Sequence, residues 1–181
     1  MSKKHSNILE LCTIGLITSL LCVIAPLSIP LPVGVPITLQ TFMITFIAIV
    51  LGAKRSLIAT FLYVLLGALG LPVFSNYSGG WQMIIGPTGG FILSFPLMAY
   101  IIGAISNARH NKKVSIIVGV IIGTLINFLS GTIVFCFATK SSLYVGVTSC
   151  ILPFIIPTII KVCLACFTGI RTKKRLRNFI H

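Results

Sequence analysis

Six apolar runs, separated by prolines, glycines or clusters of lysine and arginine, recur along these 181 residues. That recurrence constrains the fold more than any other feature. Runs near the ~20 residues that cross a bilayer as helix, without the polar/apolar alternation of a membrane barrel strand, specify helices packed within lipid. Composition agrees: 56% of residues are hydrophobic, 8% are charged, and the mean hydropathy is +1.11. A soluble domain carries about a quarter charged residues. The expected class is an all-α integral membrane protein of one domain, with spans at about 8–25, 37–52, 56–69, 88–105, 114–138 and 147–170 and a basic tail at 171–181.

The net charge of +13 rests on fourteen basic residues, and their placement carries the meaning. With six alternating crossings, Lys3, Lys4, Lys54, Arg55, Arg109, Lys112, Lys113, Arg171, Lys173, Lys174, Arg175 and Arg177 share the side that holds both termini. Lys140 falls on the other side, and Lys161 lies within a span. The positive-inside rule then puts both termini in the cytoplasm, in a multi-pass protein of the cytoplasmic membrane whose basic clusters also meet anionic membrane lipid. No aromatic-and-basic recognition module accompanies the charge, so nucleic acid is not an expected partner. Lys3 and Lys4 before the first run resemble the start of a signal peptide, but no small-residue cleavage site follows, and the run is read as a span.

Two stretches fall on the outer side. Residues 26–36 hold four prolines, which stop the first helix and predict an extended, uncharged segment. Residues 70–91, GLPVFSNYSGGWQMIIGPTGGF, hold six glycines, two prolines and no charge, far more than a turn between spans needs. Such a loop can close over a small molecule. Tyr77, Trp81 and Phe91 can pack on an apolar ring, and Gln40, Asn76 and Thr88 can pair with an amide-like group. Trp81 is equally suited to anchoring at the membrane interface.

Small residues recur where helices must approach: Gly119, Gly123, Asn127 and Gly131 at four-residue intervals, and Gly15 with Ser19. The first set reads as packing within the chain, with Asn127 bonding across helices or facing a ligand. For Gly15 and Ser19 a contact with another chain competes. The cysteines Cys12, Cys22, Cys136, Cys150, Cys163 and Cys166 read as apolar packing residues rather than as metal or redox ligands.

Enzyme chemistry finds few candidates. Glu10 is the only acid, the histidines His5, His110 and His181 sit outside the spans, and GPTGG lacks the following Lys-Ser/Thr of a phosphate-cradling loop. No catalytic residue, metal site or cofactor is expected, and any active transport must draw its energy from another subunit. Lys161 is the exceptional residue. A lysine in mid-span costs about 2.5 to 3.5 kcal/mol on insertion scales, and no span holds an acid to offset it. Either it reaches back to the cytoplasmic headgroups, or it faces a cavity where an anionic ligand supplies the counter-charge. Pro153 and Pro157, which should bend or break the outer part of that span, favour the cavity.

Pro30-Leu-Pro, Val35-Pro-Ile-Thr-Leu-Gln40, Gly70-Leu-Pro-Val-Phe74, Ser78-Gly-Gly80, Gly86-Pro-Thr-Gly-Gly-Phe91 and Pro153-Phe with Lys161 occur in an order that resembles the BioY family, the biotin-capturing membrane subunits of energy-coupling factor (ECF) transporters. The resemblance runs over nearly the whole chain. It implies a six-helix fold with an outward-facing biotin pocket, Lys161 beside biotin's carboxylate, and Asn76, Gly79 and Gly80 in the loop closing over its ring system. Relatives often carry an acid where this chain has Thr158, and Tyr where it has Phe91. Gly15 and Ser19 match the face by which such subunits contact a coupling subunit, which implies ATP hydrolysis on separate cytoplasmic subunits and a toppling of the capture subunit in the membrane. The alternatives are capture of another small anionic vitamin such as lipoate, or a membrane scaffold that transports nothing.

Overall fold

The computed structural model describes residues 3–31, 35–107 and 112–180, with side chains described over 8–31, 35–107 and 113–175. The side chains of Lys3, Lys4, Arg109, Lys112 and Arg177, the three histidines, and Pro32 of the proline-rich segment lie outside the described residues. The chain folds as α1 (Lys3–Ile24), β1 (Ser28–Ile29), β2 (Ile37–Thr38), α2 (Gln40–Leu51), α3 (Ala53–Ala68), α4 (Trp81–Ile85), α5 (Gly89–Ser106), α6 (Lys112–Thr139), α7 (Leu143–Cys150) and α8 (Ile155–Ile180). Single 3-10 turns lie at Ser75–Tyr77 and Leu152–Phe154. Three stretches, Gly89–Ser106, Lys113–Thr139 and Leu143–Arg175, are long and apolar enough to cross a membrane, and Ile8–Ile24 and Gln40–Leu51 are shorter apolar helices.

Polar contacts define two ends. At one, Arg55 Nε donates to Glu10 Oε1 at 2.9 Å, joining the first halves of α1 and α3, and Lys173 Nζ donates to Asn107 Oδ1 at 2.6 Å, joining the C-terminal half of α8 to the end of α5. At the other, β1 pairs antiparallel with β2, Ser28 opposite Thr38. The Asn76 backbone N–H donates to Ser28 Oγ at 2.9 Å, and the Ser28 hydroxyl donates to Asn76 Oδ1 at 2.8 Å, fastening the 70–91 loop to the strand pair. α1, α3 and α6 run from the basic end to the loop end, and α2, α5 and α8 run back.

The core gathers around α2 and α5. Met43, Ile44, Ile47, Ala48 and Ile49 from α2 meet Ile92, Phe95, Met98, Ala99 and Ile102 from α5, all nearly free of solvent contact. α6 lies along α5, and the small-residue stripe is the reason it can. A Cβ on Gly119 would reach 3.1 Å from Ile105 Cβ, one on Gly123 would come within 2.6 Å of Ile102 Cγ1, and one on Gly131 would overlap the Phe91 ring. Large apolar residues on the outward faces, among them Leu11, Leu16, Val23, Ile121, Leu125 and Phe137, are left exposed, as lipid requires.

Four local features differ from the sequence reading. Ile37 and Thr38, read as the start of a span, form a strand, and the helix begins at Gln40. The 70–91 loop contains α4, introduced by Gly80 at φ 96°, a conformation suited to glycine. The last run is not one helix from 147. α7 starts at Leu143, capped by Ser142, whose Oγ accepts from the Val145 N–H at 3.5 Å, and the chain breaks at 151–154 before α8. Pro153 sits in that break. Pro157 falls in the first turn of α8, where an N–H has no helical partner to lose. Finally, residues 171–180 continue α8 instead of forming a separate tail.

The α5–α6 contact gives a direct test. Gly123→Leu should force those helices apart at a cost of about 1 to 3 kcal/mol and lower the melting temperature in detergent. Leu125→Ala, on the exposed face, should leave it nearly unchanged. Equal melting temperatures for Gly123→Leu and the unaltered protein would contradict this packing.

Candidate ligand-binding site

The break between α7 and α8, the start of α2 and the first turns of α5 surround a cavity near the loop end. Its walls include Val35, Pro36, Phe91, Phe95, Phe128 and Phe154, with polar groups from Thr38, Gln40, Thr41, Thr88, Thr124, Asn127, Thr158 and Lys161. It holds about 60 Å³ of space open to the centre of a water molecule. That is several times the ~10–15 Å³ that one water needs on the same measure. An apolar cavity with a few convergent polar groups is the form that small-molecule sites take.

Lys161 supplies the cavity's charge. Because α8 starts anew at Ile155, the lysine stands two turns into a fresh helix, with Thr158 three residues before it on the same face. Its Nζ donates to the Thr38 carbonyl oxygen at 3.1 Å and to Thr41 Oγ1 at 3.2 Å. It is directed into the cavity and away from the basic end. Both partners are neutral. Glu10, the one acid of the sequence, is engaged with Arg55 at the far end. The ammonium therefore sits in a mostly apolar cavity with hydrogen bonds and no counter-ion among the described residues, an arrangement that could accept an anion.

Two amides also line the cavity. Asn127, buried, donates through Nδ2 to the Phe91 carbonyl at 3.0 Å and to Ser94 Oγ at 2.8 Å. Gln40, also buried, donates through Nε2 to the Tyr63 hydroxyl at 2.7 Å, and that hydroxyl donates to the Val73 carbonyl at 3.0 Å. Thr124 Oγ1 is buried without a partner.

Of the residues singled out from the sequence, Gln40, Thr88, Phe91, Asn127, Thr158 and Lys161 come together around this cavity. Asn76, Tyr77, Gly79, Gly80 and Trp81 lie in the loop at the same end but do not line it. Asn76 adopts the left-handed conformation, φ 56°, and binds Ser28. Tyr77 and Trp81 are 65% and 64% exposed. Gly79 packs so closely on the Leu71 backbone that a side chain would collide. Gly15 and Ser19 are exposed on α1, with open space beside Gly15.

Thr41, Phe95, Thr124 and Phe128 also line the cavity and were not singled out. Helical spacing carried the signal: Phe95 follows Phe91 by four, Thr124 precedes Asn127 by three, and Thr41 adjoins Gln40 in the first turn of α2.

The family model for the BioY family matches residues 1–178. The biotin transporter BioY of Thermotoga maritima is 38% identical over 168 residues, covering 91% of this chain and 96% of that protein. The biotin transporter BioY2 of Lactococcus lactis subsp. cremoris is 32% identical over 175 residues, covering 97% and 96%. The crystal structure of the S-component for biotin from an ECF-type ABC transporter superposes with a TM-score of 0.84 at 25% identity, covering 96% of this chain and 95% of that one. With three helical stretches long and apolar enough to span a bilayer and transporters as its relatives, this is a membrane protein, and the chain belongs to the BioY family.

Proposed function

We propose that this chain captures biotin from outside the cell and delivers it inward as the substrate-binding subunit of an ECF-type transporter. The observation that carries the reading is the Lys161 ammonium, held in a mostly apolar cavity by neutral acceptors, with no acidic group beside it among the described residues. Biotin has one carboxylate on an apolar tail and a compact ring bearing a cyclic urea. A carboxylate beside Lys161 would supply the missing charge, leaving the ring for the aromatic walls and the amides of Gln40 and Asn127. Thr158 and Thr88 would line the path between them, while Asn76, Tyr77, Gly79, Gly80 and Trp81 belong to the segment that closes above the ring. Names of relatives on both sides of the comparison, biotin transporters and a biotin S-component, support the same ligand.

In this reading six crossings place both termini and the basic end in the cytoplasm, since lysine and arginine resist translocation. The cavity then opens outward. The chain carries no ATPase site of its own, and energy comes from a coupling membrane subunit with cytoplasmic ATPases. The exposed face of α1 around Gly15 and Ser19, where two helices could pack at short distance, is the proposed contact with the coupling subunit.

Two substitutions separate capture from delivery. Lys161→Ala should weaken biotin binding to detergent-purified protein by about 2 to 5 kcal/mol, because a buried carboxylate loses its partner. Binding within threefold of the unaltered protein would remove the carboxylate role. Gly15→Leu should reduce biotin uptake by cells while leaving binding to the isolated subunit intact. Uptake at the unaltered rate would exclude that face as the coupling contact.

A further inference from the structure

We propose that Tyr63 is a positioning residue for the cavity: its hydroxyl holds the Gln40 amide so that the amide oxygen, and not the nitrogen, faces the ligand, selecting molecules that present N–H donors there. The inference deepens the biotin reading and rests on it.

Proton counting makes the argument. Tyr63 is fully buried, and its hydroxyl has one hydrogen to give. The Val73 carbonyl, 3.0 Å away, can only accept, so it takes that hydrogen. The hydroxyl is then an acceptor toward Gln40, 2.7 Å away, and Gln40 must present its N–H side. With the amide flipped, the single hydroxyl hydrogen would face two acceptors, the Gln40 oxygen and the Val73 carbonyl, and one of them would go unpaired in a buried site, which is costly. The orientation with the Gln40 N–H toward Tyr63 is the one that satisfies both contacts of the hydroxyl. What remains is the Gln40 oxygen at the cavity wall, without a hydrogen-bond partner among the described residues and not sealed from the cavity.

The chain of bonds is anchored in the loop. Val73 precedes Phe74, whose ring meets Tyr63 edge-on at 5.6 Å and lies directly over Gly67. The docked backbone of the 70–91 loop thereby sets the direction of a hydrogen-bonding group in the cavity. A cyclic urea offers N–H donors to that oxygen. A dithiolane ring such as lipoate's offers none and would leave the oxygen buried and unpaired, a form of discrimination stronger than a difference in size.

A double-mutant cycle on the purified full chain tests this, with titrated biotin as the probe. Tyr63→Phe should weaken biotin binding about tenfold by releasing the amide. In the background of Gln40→Met, which keeps the length but has no amide to orient, Tyr63→Phe should change affinity less than twofold. An equal loss in both backgrounds, or none in either, would overturn the proposal, since a merely structural tyrosine acts regardless of Gln40. Gln40→Met gives a second reading should Tyr63→Phe not fold: the excess of lipoate needed to displace biotin should fall about tenfold, and an unchanged excess would overturn the selectivity. Absence of biotin binding by the unaltered protein would instead remove the function on which this inference rests.

Discussion

The structure depends on an ammonium that has nowhere to discharge its electrostatic demand. Lys161 is two turns into α8, its hydrogen bonds go to a backbone carbonyl and a threonine hydroxyl, and the one acidic side chain of the sequence is committed elsewhere. Two neutral acceptors leave the positive charge without an opposite one beside it among the described residues. In the proposed function that gap is what a ligand's carboxylate fills, whereas a salt bridge within the protein would have satisfied the lysine without it.

Holding that group in place takes most of the fold. The β1–β2 pair delivers the Thr38 carbonyl, the first turn of α2 delivers Thr41 and Gln40, and the break at 151–154 lets α8 start at the right depth. α5 and α6, pressed together along the glycine stripe, bring Phe91 and Asn127 to the same space. Tyr63 links this inner wall to the loop above through Val73. Rigid helices thus carry the polar groups, and the glycine-rich loop is tied down at Ser28 and at Val73, so cavity and cover are mechanically connected. The outward face of α1 at Gly15 and Ser19 lies apart from the cavity lining, and under the proposed function capture and coupling could therefore be altered separately.

Much of this was legible in the sequence. The apolar runs located α1, α2, α3, α5 and α6 within a few residues, because hydropathy and basic clusters set their limits. Lys161 stood out because nothing in the chain could neutralise it, and Pro153 marked the helix break beside it. The strand pair was not legible, since two-residue strands have no periodicity, and α4 is too short to show one. Ser142 before Leu143 was a readable cap that hydropathy alone passed over. The cavity's composition was legible in part. Phe95 and Thr124 follow from helical spacing around Phe91 and Asn127, but that Asn76 serves to fasten the loop to Ser28, and that Trp81 points outward, depends on how a loop returns on itself. Tyr63 offered a weaker clue. A tyrosine in mid-span has a hydroxyl that must find a partner, and only the fold reveals that the partner is the amide at the cavity wall.

The most direct test of the central claim is an experimental structure of the biotin-bound protein at a resolution that separates carboxylate from ring. A carboxylate oxygen within about 2.7 to 3.2 Å of Lys161 Nζ, with the ring toward Gln40 and Asn127, is the predicted result. Biotin seated with its carboxylate at the mouth of the cavity, and Lys161 still bound only to Thr38 and Thr41, would contradict it.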